Sequence, residues 1–139
     1  MGDVSKDTII AAGVEKVFSY VSDPHNAPRY ISSIKRIISG PVGTPSEGQV
    51  WRAEASLLGQ VSAIDLRLQE LKSPHMVTFV IEGEPRARLA VRLRQHDGRE
   101  TTHVSLSLDV PSVPGIFLQG IMGGLLSGDM ARLKDLMEE

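Results

Sequence analysis

Residues 20–37 read YVSDPHNAPRYISSIKRI. A helical run with Val14, Val17, Phe18 and Val21 on one face reaches the start of this stretch. Asp23-Pro24 stops it, because a residue before proline disfavours the α region. Ser22 or Asp23 can then cap a second short helical piece, with Pro24 at its first position. Pro28 interrupts again, and Ile31, Ile34 and Ile37-Ile38 lead into a strand that stops near Gly40-Pro41. A helix broken and restarted at once makes a corner rather than a rod. The expectation is that Ile31 and Ile34 pack inward while Pro24, His25, Asn26 and Pro28 rim the mouth of an internal cavity.

Outward from this corner the pattern has period two, the mark of half-buried strands. Upstream it is weak, over Val4–Ala11. Downstream, Gly48–Leu58 sets Trp51, Ala53, Ala55 and Leu57 against Arg52, Glu54 and Ser56. After a turn at Gly59-Gln60, Val61–Leu71 sets Ile64, Leu66 and Leu68 against Asp65, Arg67 and Gln69. Lys72-Ser73-Pro74 turns into Met76–Glu82, with Val77, Phe79 and Ile81 on one side. Gly83-Glu84-Pro85 turns into Arg86–Gln95, where Ala87, Leu89, Val91 and Leu93 oppose Arg86, Arg88, Arg92 and Arg94. Asp97-Gly98 signals a hairpin into Thr102–Val110, with Val104, Leu106, Leu108 and Val110 on one face. Past Pro111 and Pro114 the period becomes helical over Gly115–Glu138. Phe117, Leu118, Ile121, Met122, Leu125, Leu126, Leu133, Leu136 and Met137 are read as its apolar face, and its acidic end is expected to fray.

The fold class is therefore α+β: an antiparallel sheet of about seven strands, two short helices between strands 1 and 2, and one long terminal helix. A sheet with one apolar face must cover that face, and the terminal helix is the only element long enough. Residues 1–139 are read as a single domain, with no linker, repeat or low-complexity tract. The net charge of −2 gives no reason to expect nucleic acid. The absence of cysteine excludes disulfides, thiolate metal sites and a cysteine nucleophile. No apolar run approaches the ~20 residues of a membrane span, and MGDVSKDTIIAA is no secretory signal, so a cytoplasmic location is expected.

This order of elements resembles the helix-grip fold of the SRPBCC superfamily, which includes START domains, the birch pollen allergen family and the polyketide cyclase/dehydrase family. VEKVFSYVSDPHNAPRYISSIKRI resembles its first helix, Asp-Pro break and second helix. EGQVWRAEASLLG resembles its Gly-x-x-Trp strand, and LKSPHMVTF its Pro-containing turn. HDGRETTHVSLSLDV resembles its Gly-x-x-Thr hairpin, and LKDLMEE its terminal helix end. The resemblance implies a deep pocket between curved sheet and long helix. Small inward residues (Ala53, Ala55, Ala87) among larger aliphatic ones suit such a pocket, with three Phe, two Tyr and one Trp in all to fill space. Gly115, Gly120, Gly123, Gly124 and Gly128 in the terminal helix call for either close packing, flexibility or ligand space, since glycine costs about 1 kcal/mol against alanine there.

No metal site is expected, because His25, His75, His96 and His103 lack metal-motif spacing; His96 and His103 flank one hairpin and could meet across it. GGLLSG lacks the lysine and the strand-to-helix context of a phosphate loop. No cofactor is implied. The expected ligand-binding residues are Tyr20, Tyr30, Trp51, Ala53, Leu66, Phe79, Leu89, Leu106, Phe117 and Ile121. Asp23, His25 and Arg29 are further polar candidates at the rim, Asp23 being explained equally as a cap. The Arg86/Arg88/Arg92/Arg94 stripe reads as a solvated sheet face.

The leading expectation is a carrier or binder of a small hydrophobic molecule: a lipid, isoprenoid, quinone or aromatic polyketide. One alternative is a cyclase/dehydrase-type enzyme using general acid–base groups in the pocket, with the catalytic residues unassigned. Another is an accessory protein that docks a partner. Monomer and homodimer are both compatible with the sequence. The Asp23–Pro28 corner and the Pro111–Gly115 loop are expected to gate the pocket.

Overall fold

The computed structural model describes residues 2–57, 59–83, 85–98 and 100–139. Strand β1 (Gly2–Ile10) is followed by helix α1 (Val14–Val21), a 3-10 turn (Pro24–Asn26) and helix α2 (Ala27–Tyr30). Strands β2 (Ile34–Ser39), β3 (Val50–Leu57), β4 (Gln60–Lys72), β5 (Met76–Glu82), β6 (Ala87–Gln95) and β7 (Thr102–Val110) then lead to helix α3 (Gly115–Glu138). Glu84 of the expected Gly83-Glu84-Pro85 turn, the Leu58 end of the third strand and part of the hairpin after Asp97-Gly98 lie outside the described residues, as does the side chain of Leu57.

The seven strands form one antiparallel sheet in the order β1-β7-β6-β5-β4-β3-β2. All neighbours are sequential except β1, which pairs along its whole length with β7, from Gly2 opposite Val110 to Ile10 opposite Thr102. Alternation decides which face is inward. Along β7 every second residue is buried, from Thr102 to Val110. Central β5 departs from it: Thr78 and Val80, on the outer face, are buried too. Val80 sits in register between Arg67 and Arg88, whose long stems flank it. The outer face otherwise carries the expected charge pattern. Arg36–Glu54 at 3.7 Å, Arg52–Asp65 at 3.0 Å and Arg67–Glu82 at 2.8 Å cross successive strands.

Two expectations about α3 are corrected. Its buried row is Leu118, Met122, Leu126, Met130, Leu133 and Met137, spaced by three or four residues. Phe117, Ile121 and Leu125 precede members of that row by one residue, about 100° around the helix. They are solvent-exposed, with Ile116. The end of α3 is also tied down rather than frayed. Glu138 Oε2 accepts the Ala11 amide and Lys134 Nζ, both at 2.7 Å, and Lys134 Nζ also donates to the Ile9 carbonyl at 2.7 Å. These bonds satisfy a terminal carboxylate that a bare helix end would repel, and they hold the Glu138 pKa below its ordinary value.

Candidate functional site

The broken-helix corner forms as its residues dictate. Asp23 Oδ1 accepts the backbone amide of His25 at 3.0 Å, capping the 3-10 turn, and the His25 ring lies 3.1 Å from the same oxygen. Pro24 and Ala27 turn inward, while His25 and Arg29 stay in solvent. Below this corner lies a cavity of about 30 Å³. Leu66, Phe79, Ile81, Leu89 and Leu108 of β4 to β7 make its floor, and Met122, Leu126 and Asp129 of α3 its roof. Val21, Pro24, Ala27, Tyr30, Ile31, Ser33 and Ile34 close the side. That volume suits a water molecule or two. It lies well below the ~300–1,000 Å³ of small-molecule sites. The deep pocket expected from the resemblance is not open in this structure: side chains of the core fill the space between sheet and helix down to this small cavity.

Three lining residues have polar side chains: Tyr30, Ser33 and Asp129. Asp129 is 1% exposed. Its Oδ1 accepts the Ser32 amide at 3.1 Å and the Arg132 guanidinium. Arg132 Nε also donates to the Tyr30 carbonyl at 3.4 Å, so the pair fastens the α2–β2 turn to α3. Oδ2 accepts no hydrogen bond from the described residues. Burial raises the Asp129 pKa; the Ser32 amide, the Ser32 hydroxyl and Arg132 oppose the rise. The Ser32 hydroxyl acts through proximity alone, since its geometry falls short of a hydrogen bond. Tyr30 is fully buried, and desolvation, then Tyr20, then Asp129 push its phenol above the ordinary range, so it stays protonated. The Tyr20 ring packs 6.0 Å from that of Tyr30, with its hydroxyl buried and without a hydrogen-bond partner among the described residues.

Of the ten expected ligand-binding residues, Tyr30, Leu66, Phe79 and Leu89 line the cavity. Tyr20 backs Tyr30 from outside the lining. Ala53 and Leu106 are buried in the core away from the lining. Trp51 does not form a pocket wall. It is buried, and its Nε1 donates to the Pro41 carbonyl at 2.9 Å. A Cβ at Gly40, whose φ is +146°, would collide with the indole, so the Gly40-Pro41 break is what lets the chain cross Trp51. Phe117 and Ile121, placed by helix rotation on the outer side of α3, are 63% and 51% exposed and do not reach the cavity. His103 and His96 do not meet either. His103 stands opposite Arg94 in register, and its Nε2 lies 3.0 Å from Asp7 Oδ2.

Sequence reasoning missed Asp129. The signal was there: position 129 falls three residues after Leu126 and four before Leu133, so a carboxylate interrupts the buried row of α3. The glycines of α3 answer a separate question. Nothing lies within 4 Å of a Cβ built at Gly120 or Gly124, and none of the helix's glycines lines the cavity. Close packing and ligand space are removed as reasons at these two positions, and helix flexibility remains.

Among solved structures, the chain is similar to a START superfamily protein from Mycobacterium smegmatis, with 21% identity, TM-score 0.79, and coverage of 99% of this chain and 98% of that one. It is similar to the Zhui aromatase/cyclase from a Streptomyces species, with 14% identity, TM-score 0.73, and coverage of 98% and 93%. It is also similar to a major latex-like protein from Panax ginseng, with 17% identity, TM-score 0.71, and coverage of 99% and 98%. These likenesses show the helix-grip fold. No curated protein matches the sequence. The sequence profile of one family matches residues 1–138, and with it the chain belongs to the polyketide cyclase/dehydrase and lipid transport family, within the SRPBCC superfamily.

Proposed function

We propose that the protein binds a small, largely apolar molecule between the inner sheet face and α3. The observation that carries this reading is the lining: apolar side chains from eight helices and strands converge on one space at the broken-helix corner. Family membership supports a ligand-binding or cyclase-type role. Apolar burial, about 25 cal/mol per Å² before the costs of association, would drive binding. The closed cavity means that a ligand must first open it. The face of α3 opposite the cavity has nothing packed on it at Gly120 and Gly124, so displacement of its first half meets least resistance. Native mass spectrometry of freshly purified protein, followed by solvent extraction, tests the reading. A defined apolar adduct is expected. A protein that purifies empty and takes up none of a panel of apolar ligands would rule it out.

A second reading has its own observation. Asp129, Tyr30 and Ser33 all line the cavity, and a carboxylate with a raised pKa is suited to general acid–base work on a polyketide-like substrate. Turnover of an aromatic-polyketide precursor that is lost in Asp129→Asn with binding retained would select the enzyme over the carrier.

A further inference from the structure

The outer face of the sheet, away from the cavity, divides into two unlike halves. Over β2 to β4 its arginines are matched: Arg36, Arg52 and Arg67 each meet a carboxylate on the next strand. Arg92 and Arg94 of β6 make no ion pair among the described residues. They lie on the same side of one strand, two residues and so about 7 Å apart. Register builds a basin around them. Lys72, Met76, Arg92 and Ser105 form one row across β4, β5, β6 and β7, and Arg94 and His103 begin the next. The His75 carbonyl accepts the Leu93 amide at 2.8 Å, which fixes His75 beside them. These residues line an open basin of about 510 Å³. That volume falls within the ~300–1,000 Å³ of small-molecule sites. Five lining side chains are basic and none is acidic, in a chain whose net charge is −2. Glu70 pairs with Lys72 at 3.4 Å and Asp7 stands 3.0 Å from His103, which leaves both arginines uncompensated.

The charges select the ligand. One carboxylate would balance only one of the two arginines. A phosphate monoester carries about −1.5 to −2 at pH 7 with three acceptor oxygens, enough for both guanidinium forks. A polyanion fits less well. Asp3 and Asp109 line the adjoining recess with Arg88, and Asp7 borders the basin on the β1 side. A nucleic acid strand or an anionic bilayer laid on this face would meet those carboxylates. Met76, between Lys72 and Arg92 in its row, adds apolar surface together with the arginine stems. We infer that the outer sheet face binds a small phosphate monoester, its phosphoryl group between Arg92 and Arg94 and its apolar body against Met76. The site lies across the sheet from the cavity and stands whether or not the apolar-ligand reading does.

Phenyl phosphate, inorganic phosphate and phenol test it on the intact protein, titrated by calorimetry and by NMR at pH 7 and low salt. Phenyl phosphate should shift the amides of Met76, Arg92–Arg94 and His103–Ser105 and leave those of Leu126 and Asp129 in place. Inorganic phosphate should bind the same residues more weakly, and phenol should not shift them. Arg92→Ala and Arg94→Ala should each weaken phenyl phosphate about tenfold, the worth of one charge-assisted hydrogen bond. Arg88→Ala, on the same strand but outside the basin, should change it by about twofold or less. An equal loss in Arg88→Ala would overturn the inference, since a diffuse field rather than a site would then hold the anion. Absence of binding, or shifts confined to the cavity lining, would overturn it too. Tighter binding of a single-stranded oligonucleotide or of phosphatidic acid vesicles through Arg92 and Arg94 would overturn it in favour of a polyanion or a lipid surface.

Discussion

Asp129 donates nothing and accepts at one oxygen, yet it occupies a position that leucine or methionine would fill at lower cost. Its pKa is raised in the fold, so the folded state holds the proton more tightly than the unfolded chain does. The stability this lends is fully present below the unfolded pKa and is lost as pH rises through the raised folded value. At neutral pH the charged group is therefore a liability. Asp129→Asn, which keeps an acceptor for Ser32, should melt at an equal or higher temperature than the unaltered protein at pH 7. The gap should narrow as pH falls through the carboxylate range, as thermal melts at several pH values would reveal. A drop of several degrees in the variant at pH 7 would mean that the Arg132 pair outweighs desolvation. Trp51 makes the contrasting case. Trp51→Phe should lose about 1–2 kcal/mol through the missing Pro41 bond and lost packing, measurable by urea denaturation, with no change in ligand affinity. Parity along β3 correctly turned Trp51 inward. It could not say that the indole would lie under Gly40 rather than against the cavity, because that depends on where the β2–β3 connection crosses the sheet.

At the level of elements, α3 was legible in length but not in rotation. The proline pair before it and the acidic end marked Gly115–Glu138 correctly. Its first half, however, has apolar residues all round: Leu118, Met122 and Leu126 inside, Ile116, Phe117, Ile121 and Leu125 outside. A pattern apolar on every side carries no phase, so Phe117 and Ile121 could not be told from the true cavity residues. The broken corner was clearer, since Asp-Pro chemistry is local and acts before any packing. The glycines lead to a test. Gly120→Ala and Gly124→Ala meet no neighbouring atom, so each should stabilise the protein by about 1 kcal/mol in urea melts. If flexibility of this half admits the ligand, the double variant should also bind and release more slowly in stopped-flow measurements, at little change in affinity. Unchanged rates would place the opening elsewhere.

For the whole molecule, the cavity of about 30 Å³ sets the central problem: to bind a ligand there, as proposed, the protein must expand. Hydrogen exchange should find Asp23–Pro28 and Pro111–Leu125 exchanging faster than β4 to β7, and a bound apolar ligand should slow both segments together. Uniform protection without ligand would argue against gating at either place. The overall architecture was readable because alternation, Asp-Gly and Pro turns, and one long helix all call for the same layered arrangement. Volume was not readable, because whether leucines and methionines meet or leave a gap depends on fractions of an ångström between elements distant in sequence.

The pairing of β1 with β7 bears on how the protein is made. Gly2–Ile10 leaves the ribosome early, but its hydrogen-bonding partner is Thr102–Val110. At about 5–20 residues per second, the ~100 residues between them take roughly 5–20 s to synthesise. Until then β1 has no strand beside it, while β2 to β6 can already zip up as a meander of neighbours. A nascent chain stalled before Thr102 should therefore have Gly2–Ile10 open to protease, and release past Val110 should bury that strand. A late step of assembly would then be the pairing of β1 with β7, as α3 settles over the cavity.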